Sequence, residues 1–366
     1  MKNKKILHSG RAVFFLMIFI CCIIAVAVLK IASAIILPFI IAVMLAFVMF
    51  PVIKFLDKIR VPRIMSILLI VCIIVAGMYL FGMVLFTSVK MIVEQSPQYE
   101  GRFKEIYDWV ANLFDLPNDE ALTLWQNLWD QEAIRAFVSD FTILLSNFFF
   151  KFITSTILVV FFIVFLLVET GIFRDKLITA FENRIEQINR MGNEIISQVS
   201  KYLAAKFLIS LINAVIFAVA FHLVGLEFAI VWAVIQFMLN FIPTLGSIVA
   251  GAAISLFALI QFWPNPTPII IIVIIVLATN MILGNIIDPK IIGDNVGLSP
   301  LMVIISLSIW GWVWGFAGMV LAVPMTVIIK IVCENIPIME PVSILIGSRK
   351  SVLAKKTEGE KNETQP

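Results

Sequence analysis

Few side chains in this 366-residue chain could do chemistry, and most of those are amides within apolar runs rather than paired acids or nucleophiles. The stretch Asn240-Phe-Ile-Pro-Thr-Leu-Gly246 interrupts an apolar run that extends over about 226–263. Pro243 removes a helical hydrogen bond, Gly246 tolerates unusual backbone angles, and the Asn240 amide can satisfy the backbone groups so freed. Gln236 lies one turn earlier and Thr244 within the break. A second run, 298–332, is interrupted near its middle by Gly311-Trp-Val-Trp-Gly-Phe-Ala-Gly318, with Pro324 in its later half. Between the two runs lie a segment at 267–287 carrying Asn280 and Asn285, then a polar stretch from Asp288 to Pro300. An amide in an apolar run is costly unless paired or used, so these groups predict hydrogen bonding to a polar solute. Asp288 stands at a span edge, where a carboxylate can exchange a proton or a sodium ion. It fits equally an interfacial acid ahead of a turn-forming proline.

Other chemistries lack their residues. His8 and His222 are the only histidines, so a His-Glu-x-x-His zinc site is absent. There is no Gly-x-Ser-x-Gly stretch and no phosphate-cradling glycine loop. The residues therefore predict no enzyme, no cofactor, no metal centre and no nucleic-acid partner. Cys21, Cys22, Cys72 and Cys333 lie in or at the ends of apolar runs and read as small lipid- or core-facing residues.

The elements that must position the amides are membrane helices. Hydrophobic residues make up 61% of the chain and charged ones 14%, against roughly half and a quarter in soluble domains. Spans are expected at about 12–31, 34–52, 64–90, 142–168, 207–224 and 267–287, with two more contributions from the interrupted runs. The fold class is all-α: a polytopic helical membrane protein with about eight membrane helices, broken segments included. Ala32-Ser-Ala34 is expected to be the tight turn of a retained helical hairpin rather than a cleavage site. Lys2, Lys4, Lys5 and Arg11, the bases at Lys54, Lys58, Arg60 and Arg63, and the basic tail place both termini in the cytoplasm.

The expected organisation is an N-terminal hairpin plus third span over 1–90, then a small helical extracytoplasmic insert over 91–141. The insert is acid-rich, with Ser96 as N-cap and Pro97 at the first helical position. A fourth span and an amphipathic cytoplasmic helix (169–206) occupy 142–206, a transport core 207–335 and a cytoplasmic tail 336–366. Lipid cannot hydrogen-bond to backbone, so a bend at 240–246 must be buried in protein or line a wet cavity. Two interrupted hydrophobic segments are the sequence pointer to a transporter's binding site. Whether each is a re-entrant hairpin or two full spans stays open. For Gly315, Gly318 and Ala322 taken alone, close helix packing is the favoured reading.

Asn240-Phe-Ile-Pro-x-x-Gly246 is followed about forty residues later by Pro289-Lys290-x-x-Gly293-x-x-Val-Gly297-Leu-x-Pro300, then by a helix with Gly315, Gly318 and Pro324. This pattern resembles the autoinducer-2 exporter (AI-2E) family of bacterial membrane proteins. The resemblance covers essentially the whole chain and is most specific in its last third. It implies a homo-oligomeric secondary transporter in the bacterial inner membrane that exports a small polar solute, with autoinducer-2 as the namesake and an ion gradient as the driving force. The alternative it implies is sodium- or lithium-proton antiport, though the deeply placed carboxylates that antiport usually needs are almost absent. On this reading the substrate-binding or gating residues are Gln236, Asn240, Pro243, Thr244, Gly246, Asn280, Asn285, Pro289, Gly293, Gly297, Pro300, Gly315, Gly318 and Pro324. Asp288 is the expected ion-coupling residue, with H+ or Na+ as its partner, although the resemblance itself assigns it no role.

Overall fold

The computed structural model describes residues 23–95, 153–169, 178–288 and 297–348, together with positions 17, 20, 21, 109, 151 and 176. The regular structure of these residues is helical, with one isolated bridge between Leu298 and Gly347. The labelled helices are α1 (Ser33–Lys58), α2 (Arg63–Gln95), α3 (Ile153–Glu169), α4 (Ile185–Val224) and α5 (Ala229–Leu239). They continue with α6 (Leu245–Phe262), α7 (Pro266–Asn280), α8 (Pro300–Glu334) and α9 (Glu340–Ile346). Six are long and apolar enough to cross a membrane. Their outer faces carry large apolar side chains such as Ile64, Val219 and Ile274, each more than half exposed. In water such a surface would aggregate, whereas in hydrocarbon it is the surface that dissolves. The chain is a polytopic helical membrane protein.

Two compact units divide the chain: Met1–Met49 with Ile157–Ile196 and Leu298–Pro366, and Phe50–Thr156 with Ser197–Gly297. The core of the second unit is built from Phe217, Phe221, Leu226, Ala229, Ala233, Ile254, Ala258, Ile272 and Val276. Within it α5 and α6 run antiparallel. Phe228 and Trp232 stack on Phe257 at the open end, with ring centroids 5.7 and 5.2 Å apart. At the closed end Leu239 meets Gly246. The 11 residues of α5 span only about 16 Å at 1.5 Å per residue, far short of the roughly 30 Å hydrocarbon core. This first interrupted run is thus a helical hairpin whose first arm is too short to cross and whose second arm, α6, is not. Gln261 ties its open end: Oε1 accepts from the Glu227 N–H at 2.8 Å, and Nε2 donates to the Gly225 carbonyl at 2.8 Å. Asn265 caps α7 by accepting from the Thr267 N–H at 3.2 Å, with Pro266 at the first helical position.

The first unit holds the other interrupted run. Trp314 (φ −126°, ψ 15°) and Gly315 (φ 61°, ψ −139°) break α8 into two arms. Ser306 Oγ donates to the Ala322 carbonyl at 3.0 Å and bonds the Thr326 hydroxyl, so the arms lie antiparallel. A Cβ on Gly318 would stand 1.9 Å from the Trp310 carbonyl oxygen, so only glycine admits this approach. Trp314 Nε1 donates to the Leu29 carbonyl at 3.0 Å.

Two expectations are corrected. Ala32 alone separates the helical stretch ending at Ile31 from α1, and Ser33 already opens the next helix. An αα-hairpin needs a loop of about two to five residues, so Ala32–Ala34 supplies no reversal. The amphipathic helix expected over 169–206 and the span expected over 207–224 are instead joined in one 40-residue helix, α4, that starts only at Ile185 after the 3-10 turn Glu182–Arg184. No proline lies between 185 and 224 to end the hydrogen-bond ladder where polarity gives way to apolarity. Apart from the end of α2 and Trp109, the insert expected over 91–141 lies outside the described residues.

Candidate functional site

One face of α4 carries Tyr202, Lys206, Ser210 and Asn213, all buried. Steps of four, four and three residues stack them along one side of the helix. Phe217 and Phe221 continue the same face into the apolar core. The polar half of this face is answered by two groups distant in sequence. Lys206 Nζ donates to Asp288 Oδ2 at 2.6 Å, with side-chain exposures of 3% and 20% respectively. Ser210 Oγ accepts from Asn240 Nδ2 at 3.0 Å.

The second bond corrects the role expected of Asn240. Its amide does not satisfy the backbone of the bend; it fastens the bend to α4. The bend satisfies its own backbone: the N–H groups of Asn240, Ile242 and Gly246 donate to the carbonyls of Gln236, Leu239 and Ile242 at 2.8, 2.9 and 3.2 Å. Thr244 adopts φ 63°, a conformation a β-branched residue rarely takes, so the turn is held against local preference by its surroundings. Gly246 is required by contact, since a Cβ there would lie 1.6 Å from the Leu239 carbonyl oxygen.

A chain of amides crosses from the hairpin to α7. Gln236 Nε2 donates to Asn280 Oδ1 at 3.2 Å, and Asn280 Nδ2 donates to the Ser247 carbonyl at 3.4 Å. Beyond Asn280 the helix loosens into π-helical turns over Met281–Ile287, which end at Asp288. Such bulges recur at functional sites.

These groups line a half-open cavity of about 750 Å³, inside the range of roughly 300–1,000 Å³ common to small-molecule sites. Lys206 lines it from α4. Asn240, Pro243, Thr244 and Ser247 line it from the bend and the start of α6, Ser255 from later in α6, and Asn280 and Asp288 from α7 and its extension. Gly251, Val276 and Met281 are among the apolar wall residues.

Of the residues expected at a site, Asn240, Pro243, Thr244, Asn280 and Asp288 meet at this cavity. Gln236 stands behind Asn280 as its donor, and Gly246 shapes the bend without lining the cavity. Gly297 takes φ 59°, Pro300 opens α8 behind the Ser299 cap, and Gly315, Gly318 and Pro324 shape the second interrupted run; none of these five lines the cavity. Pro289 and Gly293 lie outside the described residues, as does the side chain of Asn285. The sequence reading missed Lys206, Ser210, Ser247 and Ser255. One signal was available for Lys206, the last lysine before an apolar run that continues to Phe221.

A polytopic helical protein whose broken hairpin walls a solute-sized cavity, apolar with a few polar groups set into it, has the architecture of a membrane transporter. The comparisons make the identification specific: the chain belongs to the AI-2E transporter family, whose model (AI-2E family transporter) matches residues 14–338. It is similar to a putative transport protein of Haemophilus influenzae, 32% identical over 333 residues that cover 89% of this chain and 93% of that protein. A putative transport protein of Borreliella burgdorferi is 29% identical over 338 residues, 92% of this chain and 91% of its own length. The AI-2 transport protein TqsA of Escherichia coli is 28% identical over 320 residues, 87% of this chain and 91% of its own.

Proposed function

We propose that this protein is a secondary transporter that exports a small polar solute, autoinducer-2 or a metabolite of similar size and polarity, across the bacterial inner membrane. The observation that carries the reading is the cavity of about 750 Å³, with Asn240, Thr244, Ser247, Ser255 and Asn280 on its wall and the Lys206–Asp288 pair in its lining. Amides and hydroxyls there can replace the water a solute leaves behind. Asn240, Thr244 and Asn280 contact the solute, Gln236 holds Asn280, and Pro243 and Gly246 shape the bend that moves. Asn285, Pro289, Gly293, Gly297, Pro300, Gly315, Gly318 and Pro324 act in gating. Asp288 exchanges the driving ion, a proton or sodium. Sodium-proton antiport as the whole function is the weaker reading, because Asp288 is the one carboxylate in the described lining and it is bonded to Lys206. Both termini lie in the cytoplasm, and the working unit is a homo-oligomer.

The decisive comparison is between the metabolites released by cells with and without the protein, followed by uptake of the identified solute into inverted vesicles with and without a proton gradient. A solute should disappear from the medium when the protein is absent. Asn280→Ala should slow its vesicle uptake about tenfold or more, the worth of one well-placed hydrogen bond, at unchanged protein level. Asp288→Asn should abolish the dependence of uptake on external pH. Unchanged secretion, or pH-dependent uptake surviving in Asp288→Asn, would overturn the export or the coupling reading respectively.

A further inference from the structure

The described cavity lining contains two charged side chains, Lys206 and Asp288, of opposite sign and in contact at 2.6 Å. The other polar groups facing it, Asn240, Thr244, Ser247, Ser255 and Asn280, are neutral. We infer that the Lys206–Asp288 pair is the charge-selectivity element of this transporter: while closed it cancels the charge of the cavity, so that net-neutral solutes are accepted and anionic and cationic solutes rejected, and exchange of the driving ion at Asp288 requires the pair first to open. The inference rests on the export reading and narrows its substrate class.

The physical reason is the cost of a separated pair. Lys206 is almost wholly buried. An anionic solute that took the ammonium for itself would strip Asp288 of its donor, and a cationic solute on Asp288 would leave the Lys206 ammonium without its acceptor. Either event strands a charge in a poorly solvated site, a penalty that usually exceeds what the newcomer gains. A net-neutral solute needs neither. It can use capacity that the pair leaves unspent: among the described residues, Asp288 Oδ1 has no hydrogen-bond partner. An ammonium also carries three donors, of which the contact with Asp288 uses one. The pair therefore offers an acceptor and donors to a neutral polar group while remaining closed.

The test needs no knowledge of the solute. Cys21, Cys22, Cys72 and Cys333 are replaced by alanine or serine, and Ser247→Cys or Ser255→Cys introduces one thiol in the cavity of the full-length protein in detergent. Three methanethiosulfonate reagents are the probes: one with a sulfonate, one with a quaternary ammonium, and one uncharged. Each rate is divided by that for a free thiol in solution. With the pair intact, the anionic and cationic reagents should react within about threefold of each other. Asp288→Asn should favour the anionic reagent and Lys206→Met the cationic one, each by about tenfold or more, the scale on which a single-sign cleft biases encounter. Lys206→Met with Asp288→Asn should return the ratio to that of the parent. A parent that itself prefers one charge by tenfold, or single variants that leave the ratio unmoved, would overturn the inference. If a single variant does not fold, the swap Lys206→Asp with Asp288→Lys decides, since a ratio displaced from the parent's by tenfold overturns the inference and an unchanged one supports it. Ratios that behave as expected in a protein whose loss changes no secreted metabolite would sink the export reading instead and leave the charge rule standing.

Discussion

Gly246 and Gly318 do the same physical work in separate parts of the chain. At each, a helix backbone comes so near a carbonyl of the opposite arm that an ideal Cβ would lie 1.6 or 1.9 Å from its oxygen. The clash is with backbone, which cannot step aside as the end of a side chain does. Gly246→Ala and Gly318→Ala should each cost about 3 kcal/mol or more, the upper end of overpacking penalties. Gly77→Ala, where a Cβ meets nothing within 4 Å, should change stability by no more than about 1 kcal/mol. Thermal unfolding in detergent reads the difference, and a Gly246→Ala protein as stable as Gly77→Ala would refute the contact. Lys206→Met makes a different demand. It leaves a carboxylate of 20% exposure without its donor, so the loss should approach, without reaching, the roughly 3–5 kcal/mol of a broken fully buried pair. Lys206→Met with Asp288→Asn should recover most of that loss in a double-mutant cycle.

The hairpin α5–α6 shows how a pair of helices with one arm too short to cross the bilayer is held in place. Its closed end is tied to α4 through Asn240 and Ser210, and its open end through Gln261 to Gly225 and Glu227. Gln261→Leu forfeits two hydrogen bonds and should cost about 2 kcal/mol at about 1 kcal/mol each, without changing the charge preference of the cavity. An unfolding midpoint equal to that of the parent would show the clamp to be idle. Much of this element was legible beforehand. Pro243 and Gly246 marked the bend, because each acts on its own backbone within a few residues. The role of Asn240 was not legible, since a side-chain amide can serve the bend or a neighbouring helix. Which it serves depends on whether Ser210 stands opposite, and nothing within 240–246 records that.

In the complete chain, the 40-residue α4 belongs partly to each compact unit. Its N-terminal half presents Ile185 and Ile188, both half-buried, among exposed polar neighbours, a surface suited to a second copy of the protein. Cysteines at 185 and 188 should give crosslinked homo-oligomers in membranes at moderate expression. Only monomer under crosslinking conditions would overturn the proposal of a homo-oligomer joined at this face. Cysteine labelling of tails added before Met1 and after Pro366 should react from the cytoplasmic side alone if the proposed placement of both termini holds, and labelling of either tail from the other side would overturn it.

The residues in order were enough to establish a helical membrane protein, the approximate position of each apolar segment and the two places where such segments must break. Hydropathy, proline and glycine act locally, and lipid leaves the backbone few alternatives. They were not enough to carry α4 unbroken through 206 or to deny Ala32–Ala34 its reversal, because helix continuity depends on hydrogen bonds that neither hydropathy nor charge reports. Nor could they pair Lys206 with Asp288, 82 positions away. That contact exists because α4 and the π-helical end of α7 pack in one particular register, and register between helices is set by how their side chains interlock in three dimensions.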